Sequence, residues 1–173
     1  MRDNVRPKEV YTPAAVPVHW AEKVQSDLER YVSHGVLETV EPNYPVIWCH
    51  RMVVYRKHNG DPRCTVDLQA LNEASVGQCH PTAPPLQQAK DVPNNTKKSM
   101  LDAWNGYHSI SMREEDRHMT TFLTPWGRFR YRRTPYGNLA IGDGYTHRYD
   151  KITMGFKSIK RVIDDTLLWA KDM

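Results

Sequence analysis

The 173-residue chain is poor in cysteine and has no long apolar run. Its three cysteines are an odd and sparse set, so a disulfide framework is disfavoured and a reducing compartment is expected. No stretch approaches the roughly 18 consecutive apolar residues that cross a bilayer, and the N-terminus lacks a signal-peptide pattern. We therefore expect an intracellular protein with no membrane partner.

Two adjacent pairs, Cys49-His50 and Cys79-His80, raise the question of zinc. Structural zinc ligands usually come as cysteine or histidine pairs separated by about two to five residues on a tight turn. Adjacent ligands on an extended chain point in different directions, so the sequence disfavours a zinc site.

The net charge is +4, and the basic residues are unevenly placed. Four arginines lie within residues 128–133, and Lys97 and Lys98 precede Asp102. Such a run is usually a solvated face, which is the interpretation that charge alone favours. The alternative is a surface that follows a nucleic-acid backbone, which would make binding depend on salt.

The N-terminal part of the chain predicts an arm followed by a helix. Residues 1–19 include Pro13 and Pro17 and show no periodicity, which indicates an extended arm. From Trp20, apolar residues recur at helical spacing, and Gly35 is well placed to end the helix. The apolar stripe consists of Trp20, Val24, Leu28, Tyr31 and Val32.

Two β-hairpins are predicted next. Residues 52–55 and 64–68 flank Asn59-Gly60-Asp61, a turn sequence that tolerates positive φ. Residues 120–124 and 128–133 are joined by Pro125-Trp126-Gly127. In the second hairpin, Phe129 and Tyr131 alternate with arginines, which predicts one apolar and one cationic face. The arginines of that face are Arg128, Arg130 and Arg132.

The remaining elements are shorter or less regular. A proline-rich link over residues 80–85 leads into a short helix over 86–90, and residues 99–102 read as a short buried strand that ends at Asp102. Residues 138–157 are predicted to be helical. Residues 162–163 and 166–169 read as strand arms on either side of Asp164-Asp165.

Adjacent carboxylates at the tip of an apolar hairpin repel each other, and a divalent cation is the usual remedy. Oxygen ligands suit Mg²⁺ or Mn²⁺. Alone, Asp164-Asp165 would most often be a simple turn. Asp102, however, ends a second apolar strand, and the chain between them is long enough for a hairpin, a helix and a return strand. Three carboxylates at one sheet edge are what two-metal phosphoryl transfer requires.

Five stretches together resemble the fingers and palm of a reverse transcriptase from gypsy-type LTR retrotransposons, relatives of the retroviral enzymes. They span residues 59–72, 101–108, 121–127, 135–137 and 162–165, in the order of the family. The resemblance implies an α+β fold with an antiparallel palm sheet backed by helices and the thumb absent. Its implied division is an arm over 1–19, fingers with the start of the palm over 20–98, and palm with an inserted fingers hairpin over 99–173.

The resemblance also implies an RNA-directed DNA polymerase that extends a primer 3′-hydroxyl with deoxynucleotides, using two Mg²⁺ ions or Mn²⁺ as a substitute. Asp102 and Asp164 would bind both metals, with Asp165 completing the acidic cluster and the Ala103 carbonyl as a further ligand. The implied partners are an RNA or DNA template with its primer and a deoxynucleoside triphosphate.

Further roles follow from the resemblance position by position. Lys57 and Arg63 would clamp the triphosphate, Tyr107 would exclude a 2′-hydroxyl, and Tyr136 would border the nucleotide. Pro135, Gly137, Val162 and Ile163 would lie beside template and primer. The alternatives are an exposed hairpin for Lys57 and Arg63 and a core aromatic for Tyr107, and His58 could align in place of Lys57.

The sequence departs from the family at three positions. Val162 stands where an aromatic residue usually supports the primer end, Gln69 stands where an arginine is common, and Asn138 interrupts a usually more apolar stretch. We expect the thumb, connection and RNase H segments of a longer polyprotein to be missing. We expect an intracellular location, in the cytoplasm, virus-like particles or nucleus.

Two other functions remain open from the sequence. One is a catalytically weak or inactive, element-derived module that binds nucleic acid or another protein. The other is the palm of a different metal-dependent nucleotidyl transferase, which would explain the carboxylates but not the first hairpin.

Overall fold

The computed structural model describes residues 5–76, 84–103, 105–162 and 165–171. The helices are α1 Val18–Ser33, α2 Gln69–Ala74, α3 Pro85–Lys90, α4 Glu114–Arg117 and α5 Leu139–Thr153, with short 3-10 helices at Gly106–Ser109 and His118–Thr120. The strands are β1 Leu37–Val40, β2 His50–Arg56, β3 Pro62–Asp67, β4 Lys97–Asp102, β5 Phe122–Thr124, β6 Gly127–Tyr131, β7 Ile159–Val162 and β8 Asp165–Ala170.

Five strands form a large sheet in the order β1-β6-β5-β2-β3. Neighbours are antiparallel except β2 and β5, which run parallel with His50 opposite Phe122. Helix α1 buries Val24 and Leu28 in the core that this sheet forms. Most of the buried apolar side chains belong to this core, including Leu37, Trp48, Met52, Val66, Leu68, Leu71, Phe122 and Phe129.

Helix α1 confirms the prediction from the apolar stripe and ends where Gly35 predicts. Gly35 adopts φ +65°, a conformation that glycine reaches without a Cβ clash. Its N–H donates to Val32 O and the N–H of Val36 donates to Tyr31 O, both at 2.9 Å. These two bonds form a Schellman motif, which satisfies carbonyls that the helix end leaves without partners.

Both predicted hairpins are present. In the first, β2 pairs with β3 from Arg51 opposite Asp67 to Arg56 opposite Pro62, and Gly60 takes φ +89° at the tip. In the second, Thr124 of β5 lies opposite Gly127 of β6. The apolar side of β6 is buried as expected.

The predicted cationic face of β6 is not free, and this part of the sequence analysis is corrected. Arg130 Nε lies 2.5 Å from a carboxylate oxygen of Glu38 on β1, and Arg117 and Arg132 each lie 3.5 Å from its other oxygen. Arg128 donates to the Glu41 and Tyr44 carbonyls. The register that places Arg130 opposite Glu38 creates this network, so the arginines are bound within the fold, although Arg132 stays half exposed.

Three strands form a small antiparallel sheet in the order β4-β8-β7. Helix α5 backs it, because the Tyr149 hydroxyl lies 2.5 Å from Thr166 Oγ1 and Arg161 stacks over the Tyr149 ring. The helix ends at Thr153 and not at residue 157, because Gly155 takes φ +97°. Asp165 is the first residue of β8, not a residue of a loop.

Strand β4 is present but is not buried, which corrects a second prediction. Met100 is 72% exposed and Leu101 is 53% exposed. The strand is an edge strand that pairs with β8 alone, and its apolar residues therefore lack a second covering layer among the described residues.

The structure adds elements that the sequence analysis did not anticipate, chiefly β1 and α2. The N-terminal arm runs beside β2, with backbone hydrogen bonds of 3.0 Å joining Cys49 to Lys8 and Val10. Cys79 and His80 lie outside the described residues. Among the helices that are described, none is long and apolar enough to cross a membrane. The predicted divisions near residues 19 and 98 stay predictions.

Candidate active site

Asp102 and Asp165 lie directly opposite each other in the small sheet. Asp102 is the last residue of β4, Asp165 is the first residue of β8, and the two are register partners in an antiparallel pair. Side chains at such positions share one face of the sheet, with Cβ atoms about 5 Å apart. Both residues are exposed. The fold therefore brings together two of the three predicted carboxylates.

The third carboxylate, Asp164, lies outside the described residues, as does Ile163. Val162 is opposite Asp165 in the β7–β8 register, which places its backbone beside the acidic pair. Ala103 follows Asp102 directly. Within the described ranges no group of three or more metal-ligating side chains occurs. The described part of the predicted acidic cluster is therefore the pair Asp102 and Asp165.

A cavity of about 560 Å³ lies between α1, the β2–β3 hairpin and the segment after β4. Four residues that the sequence assigned to nucleotide or metal binding line it: Lys57, Arg63, Asp102 and Tyr136. Because Lys57 and Arg63 are exposed, their cationic groups can reach a ligand in the cavity. The lining of the cavity thus combines these two cationic side chains with the carboxylate of Asp102.

Tyr107 belongs to an aromatic cluster that includes Tyr136, a residue that lines this cavity. Its ring centroid lies 4.9 Å from that of Tyr136, edge to face, and 5.0 Å from that of Tyr145. Gly106 permits this packing, because a Cβ there would lie 2.8 Å from the Tyr145 hydroxyl. Tyr107 therefore contacts a residue that lines the cavity, although it does not line the cavity itself.

The segment 135–137 combines a buried and an exposed part. Pro135 is fully buried, so it could not contact a template directly and could affect one only by positioning its neighbours. Gly137 is exposed with φ +87°, and its carbonyl accepts a 2.8 Å hydrogen bond from Asn72 of α2. This bond ties the segment to the large sheet side of the molecule.

Known proteins resemble the chain in sequence. No protein-family model matches it. The Pol polyprotein from the Drosophila melanogaster transposon opus is 26% identical over 124 residues, covering 70% of this chain and 12% of that polyprotein. The transposon Tf2-3 polyprotein of Schizosaccharomyces pombe is 33% identical over 126 residues, covering 71% of this chain and 9% of that polyprotein. The chain thus spans about a tenth of the length of these curated relatives.

Solved structures resemble it in fold. The native protease-reverse transcriptase of prototype foamy virus matches with a TM-score of 0.83 at 17% identity, covering 96% of this chain and 22% of that one. The foamy viral protein in complex with an RNA/DNA hybrid matches with a TM-score of 0.80 at 16% identity, covering 94% and 21%. The chain has the reverse-transcriptase fold and is a relative of retroelement Pol polyproteins. The α+β fold implied by the sequence resemblance is therefore confirmed.

The β2–β3 hairpin is anchored to α1 at its tip. Lys23 Nζ lies 2.5 Å from an Asp61 carboxylate oxygen, and Asn59 Nδ2 donates to the other oxygen at 2.9 Å. The hydrogen bond from Lys23 lowers the pKa of Asp61 below its ordinary value. The anchor fixes the hairpin that carries Lys57 and Arg63.

Several residues that line the cavity of about 560 Å³ were not identified from the sequence. Asn105 adopts φ +53°, which turns the chain after Asp102, and both residues line the cavity. Cys64 and His108 line it as well, and burial raises the pKa of Cys64 to about 11 and lowers the pKa of His108. The residue type is the local signal that could have drawn attention to Asn105, because asparagine adopts positive φ more often than most residues.

Proposed function

We propose that this chain forms the nucleotide- and metal-binding part of an RNA-directed DNA polymerase. The observation that carries the proposal is the pairing of Asp102 with Asp165, together with a cavity that Asp102, Lys57 and Arg63 all line. Opposed carboxylates are unfavourable alone and favourable around a cation, and a cationic hairpin suits a triphosphate. The match to Pol polyproteins supports the same function.

The acidic pair fits Mg²⁺ or Mn²⁺, because both residues present exposed oxygen ligands from adjacent strands. Asp102, Asp165 and, on the resemblance, Asp164 and the Ala103 carbonyl would hold the ions. When bound, such ions lower the pKa of the attacking hydroxyl and neutralise charge on the transferred phosphoryl group.

The remaining residues would position the reactants. The primer 3′-oxygen forms a bond to the α-phosphorus of a deoxynucleoside triphosphate, and the bond to the bridging oxygen breaks so that pyrophosphate leaves. Arg63 and Lys57 would hold the triphosphate, since a guanidinium matches phosphate geometry. Tyr107, packed against Tyr136, would limit space beside the sugar.

A template-primer duplex is the proposed partner. The foamy viral relatives of known structure include complexes with double-stranded DNA and with an RNA/DNA hybrid. The net charge of +4 is compatible with an anionic partner, and binding through phosphates would weaken as salt rises. We also propose an intracellular location, because an odd and sparse set of three cysteines suits a reducing compartment.

Primer extension on an RNA template, with Mg²⁺ and separately with Mn²⁺, tests the polymerase. We expect extension by the 173-residue chain that Asp164→Asn and Asp102→Asn each abolish. Asp91→Asn is the matched control, because Asp91 is an exposed carboxylate at the end of α3, paired with Lys160 of β7 at 2.9 Å. Its activity should equal that of the unchanged chain.

The same experiment separates the alternative function. Absence of extension, together with duplex binding that depends on salt and is unchanged by Asp164→Asn, would show a nucleic-acid-binding module in place of a polymerase. Loss of activity in Asp91→Asn as well would show that the aspartate variants act through folding, and thermal unfolding of each variant checks this directly.

A further inference from the structure

Strand β4, which carries Asp102, pairs with one neighbouring strand only in the part of the chain that the structure describes. Its last residues, Leu101 and Asp102, are exposed. Within the sheet, the separation of Asp102 and Asp165 therefore depends on one ladder of backbone hydrogen bonds. The ligands of a metal site must be held at a fixed separation, so a contact that supports this part of the sheet from another element would contribute to the site.

The row of residues next to the acidic pair lies on the opposite face of the small sheet. Thr166 follows Asp165 in β8, and its register partners are Leu101 in β4 and Arg161 in β7. Consecutive residues of a strand point to opposite faces, so the side chains of this row point away from the two carboxylates. Thr166 and Arg161 are only 6% and 8% exposed, which shows that another element covers this face.

Tyr149 of α5 contacts both of these buried residues. Its hydroxyl lies 2.5 Å from Thr166 Oγ1, and its ring centroid lies 5.2 Å from the guanidinium carbon of Arg161. The next residue of the helix, Asp150, lies 3.4 Å from the same guanidinium. Helix α5 is thereby bound to both arms of the β7–β8 hairpin, one residue from the row of the acidic pair.

The same helix is also bound to the segment that follows Asp102. Tyr145 is only 8% exposed, and its ring centroid lies 5.0 Å from that of Tyr107. Residues four apart share one side of a helix, and the rings of Tyr145 and Tyr149 have centroids 6.4 Å apart. Helix α5 therefore connects the chain after Asp102 with the strand that begins at Asp165, independently of the hydrogen bonds between β4 and β8.

We propose that Tyr149 is a positioning residue for the acidic pair. Its hydrogen bond to Thr166 fixes the start of β8, and so sets where the carboxylate of Asp165 lies relative to that of Asp102. Tyr149 lies on the face of the sheet opposite the carboxylates, so it acts only through β8. This inference rests on the proposed function, because it treats Asp102 and Asp165 as ligands of the metal ion.

Mn²⁺ binding to the 173-residue chain tests this role without template or nucleotide. Free Mn²⁺ would be measured by electron paramagnetic resonance during a titration, at a temperature where thermal unfolding shows each variant to be folded. Tyr149→Phe keeps the ring beside Arg161 and removes the hydroxyl, and Thr166→Val removes the other partner of the same bond.

We expect each of these two variants to bind Mn²⁺ about threefold to tenfold more weakly than the unchanged chain. Loss of a group bonded directly to a metal ligand typically weakens metal binding about 10–100-fold, and Tyr149 acts one step further away. Affinities for Mn²⁺ equal to that of the unchanged chain in both variants would overturn the proposal.

The double variant tests whether the two residues act through one bond. Tyr149→Phe combined with Thr166→Val should bind Mn²⁺ no more weakly than the weaker of the two single variants, because only one interaction is lost. If the two losses of affinity multiply in the double variant, the residues act independently and the proposal fails.

Thr124→Val is the matched control for stability. Thr124 is buried in the large sheet, and its Oγ1 donates to the Gly127 carbonyl at 2.8 Å. Removing this hydroxyl should lower the free energy of unfolding and leave Mn²⁺ binding unchanged. An equal loss of Mn²⁺ affinity in Thr124→Val and Tyr149→Phe would show general destabilisation and contradict the positioning role.

Asp165→Asn separates failure of this inference from failure of the proposed function. We expect it to weaken Mn²⁺ binding more than Tyr149→Phe does, because it changes a ligand itself. If Asp165→Asn binds Mn²⁺ as the unchanged chain does, the metal site of the proposed function fails and this inference fails with it. If Asp165→Asn loses affinity and Tyr149→Phe and Thr166→Val do not, only the positioning role is refuted.

Discussion

The two sheets of this molecule differ in how completely they are buried. The large sheet is covered by α1 and contributes most of the core, with Met52 only 1% exposed. The small sheet carries the acidic pair and leaves Met100 exposed on its edge strand. Stability is thus concentrated in one sheet, and the candidate chemistry lies on the other. Functional elements are commonly drawn from the less stable part of a fold, and this division follows that pattern.

The largest expected effect compares the same substitution in the two sheets. Met52→Ala in β2 should lower the free energy of unfolding by about 2–5 kcal/mol, because it leaves a cavity in the core. Met100→Ala in β4 should change it by less than about 0.5 kcal/mol, because the side chain is already in solvent. Urea unfolding measures both. Similar losses of unfolding free energy in Met52→Ala and Met100→Ala would show that β4 is covered in solution, and would contradict the difference in burial between the two sheets.

An intermediate effect is expected from the ion pairs of the two sheets. Glu38→Gln leaves three guanidiniums without their shared carboxylate and should cost about 1–3 kcal/mol, because the side chains of Arg117 and Arg130 are largely buried, whereas that of Arg132 is half exposed. Asp91→Asn removes the exposed partner of Lys160 on β7 and should cost less than about 1 kcal/mol. Urea unfolding at low and high salt would sharpen the contrast, and equal costs would contradict it.

The pH dependence of stability should also come from the large-sheet side. Burial lowers the pKa of His50 and of His108 below the ordinary value near 6.5, and each unit of lowering is worth about 1.4 kcal/mol. Below pH about 6.5 the unfolded chain binds protons that the folded chain does not, so stability falls as the pH falls through this window.

Urea unfolding at pH 7.5 and pH 5.5 checks this prediction. The loss on acidification should shrink in His50→Gln, which removes the titrating ring, and should be unchanged in His19→Gln, since His19 is exposed on α1. The strands of the small sheet contain no histidine in their described ranges, so β4, β7 and β8 should contribute little to the slope. If the free energy of unfolding still falls as strongly on acidification in His50→Gln and in His108→Gln, titratable groups other than these two histidines cause the pH dependence.

The smallest expected effect tests the acidic pair itself. Without divalent metal, Asp165→Asn should raise the free energy of unfolding by about 0.2–1 kcal/mol, because it removes repulsion from Asp102 across the strands. With Mg²⁺ the unchanged chain should gain thermal stability and the variant should not, since binding to the folded state stabilises it. Thermal unfolding in EDTA measures the effect of the substitution without metal, and thermal unfolding in Mg²⁺ measures the stabilisation by the ion. Equal Mg²⁺ responses would exclude the pair as the metal site.

Local sequence signals were sufficient for the elements that depend on short-range geometry. The stripe from Trp20 and the glycine at residue 35 predicted α1 and its end, because helix period and positive φ are encoded within a few residues. The turns at Asn59-Gly60 and Gly127 predicted the hairpins for the same reason. The family resemblance added the fold, which the solved structures confirm.

Other features needed the tertiary structure, because they depend on pairing between distant segments. Only the register of β1 and β6 places Glu38 opposite Arg130 and turns a cationic run into an ion-pair network. Only the sheet order leaves β4 at an edge and exposes Met100, where the sequence predicted burial. Burial and charge pairing are properties of neighbours, and a single segment does not specify its neighbours.

The candidate site shows the same division. The sequence by itself determined which residue types are available: three aspartates, a lysine and arginine on a hairpin, and an aromatic residue after Asp102. The tertiary structure decided that Asp102 lies opposite Asp165 and that Arg63 shares a cavity with Asp102. The physical reason is that residue chemistry is local, whereas the distances between residues are set by strand register and packing.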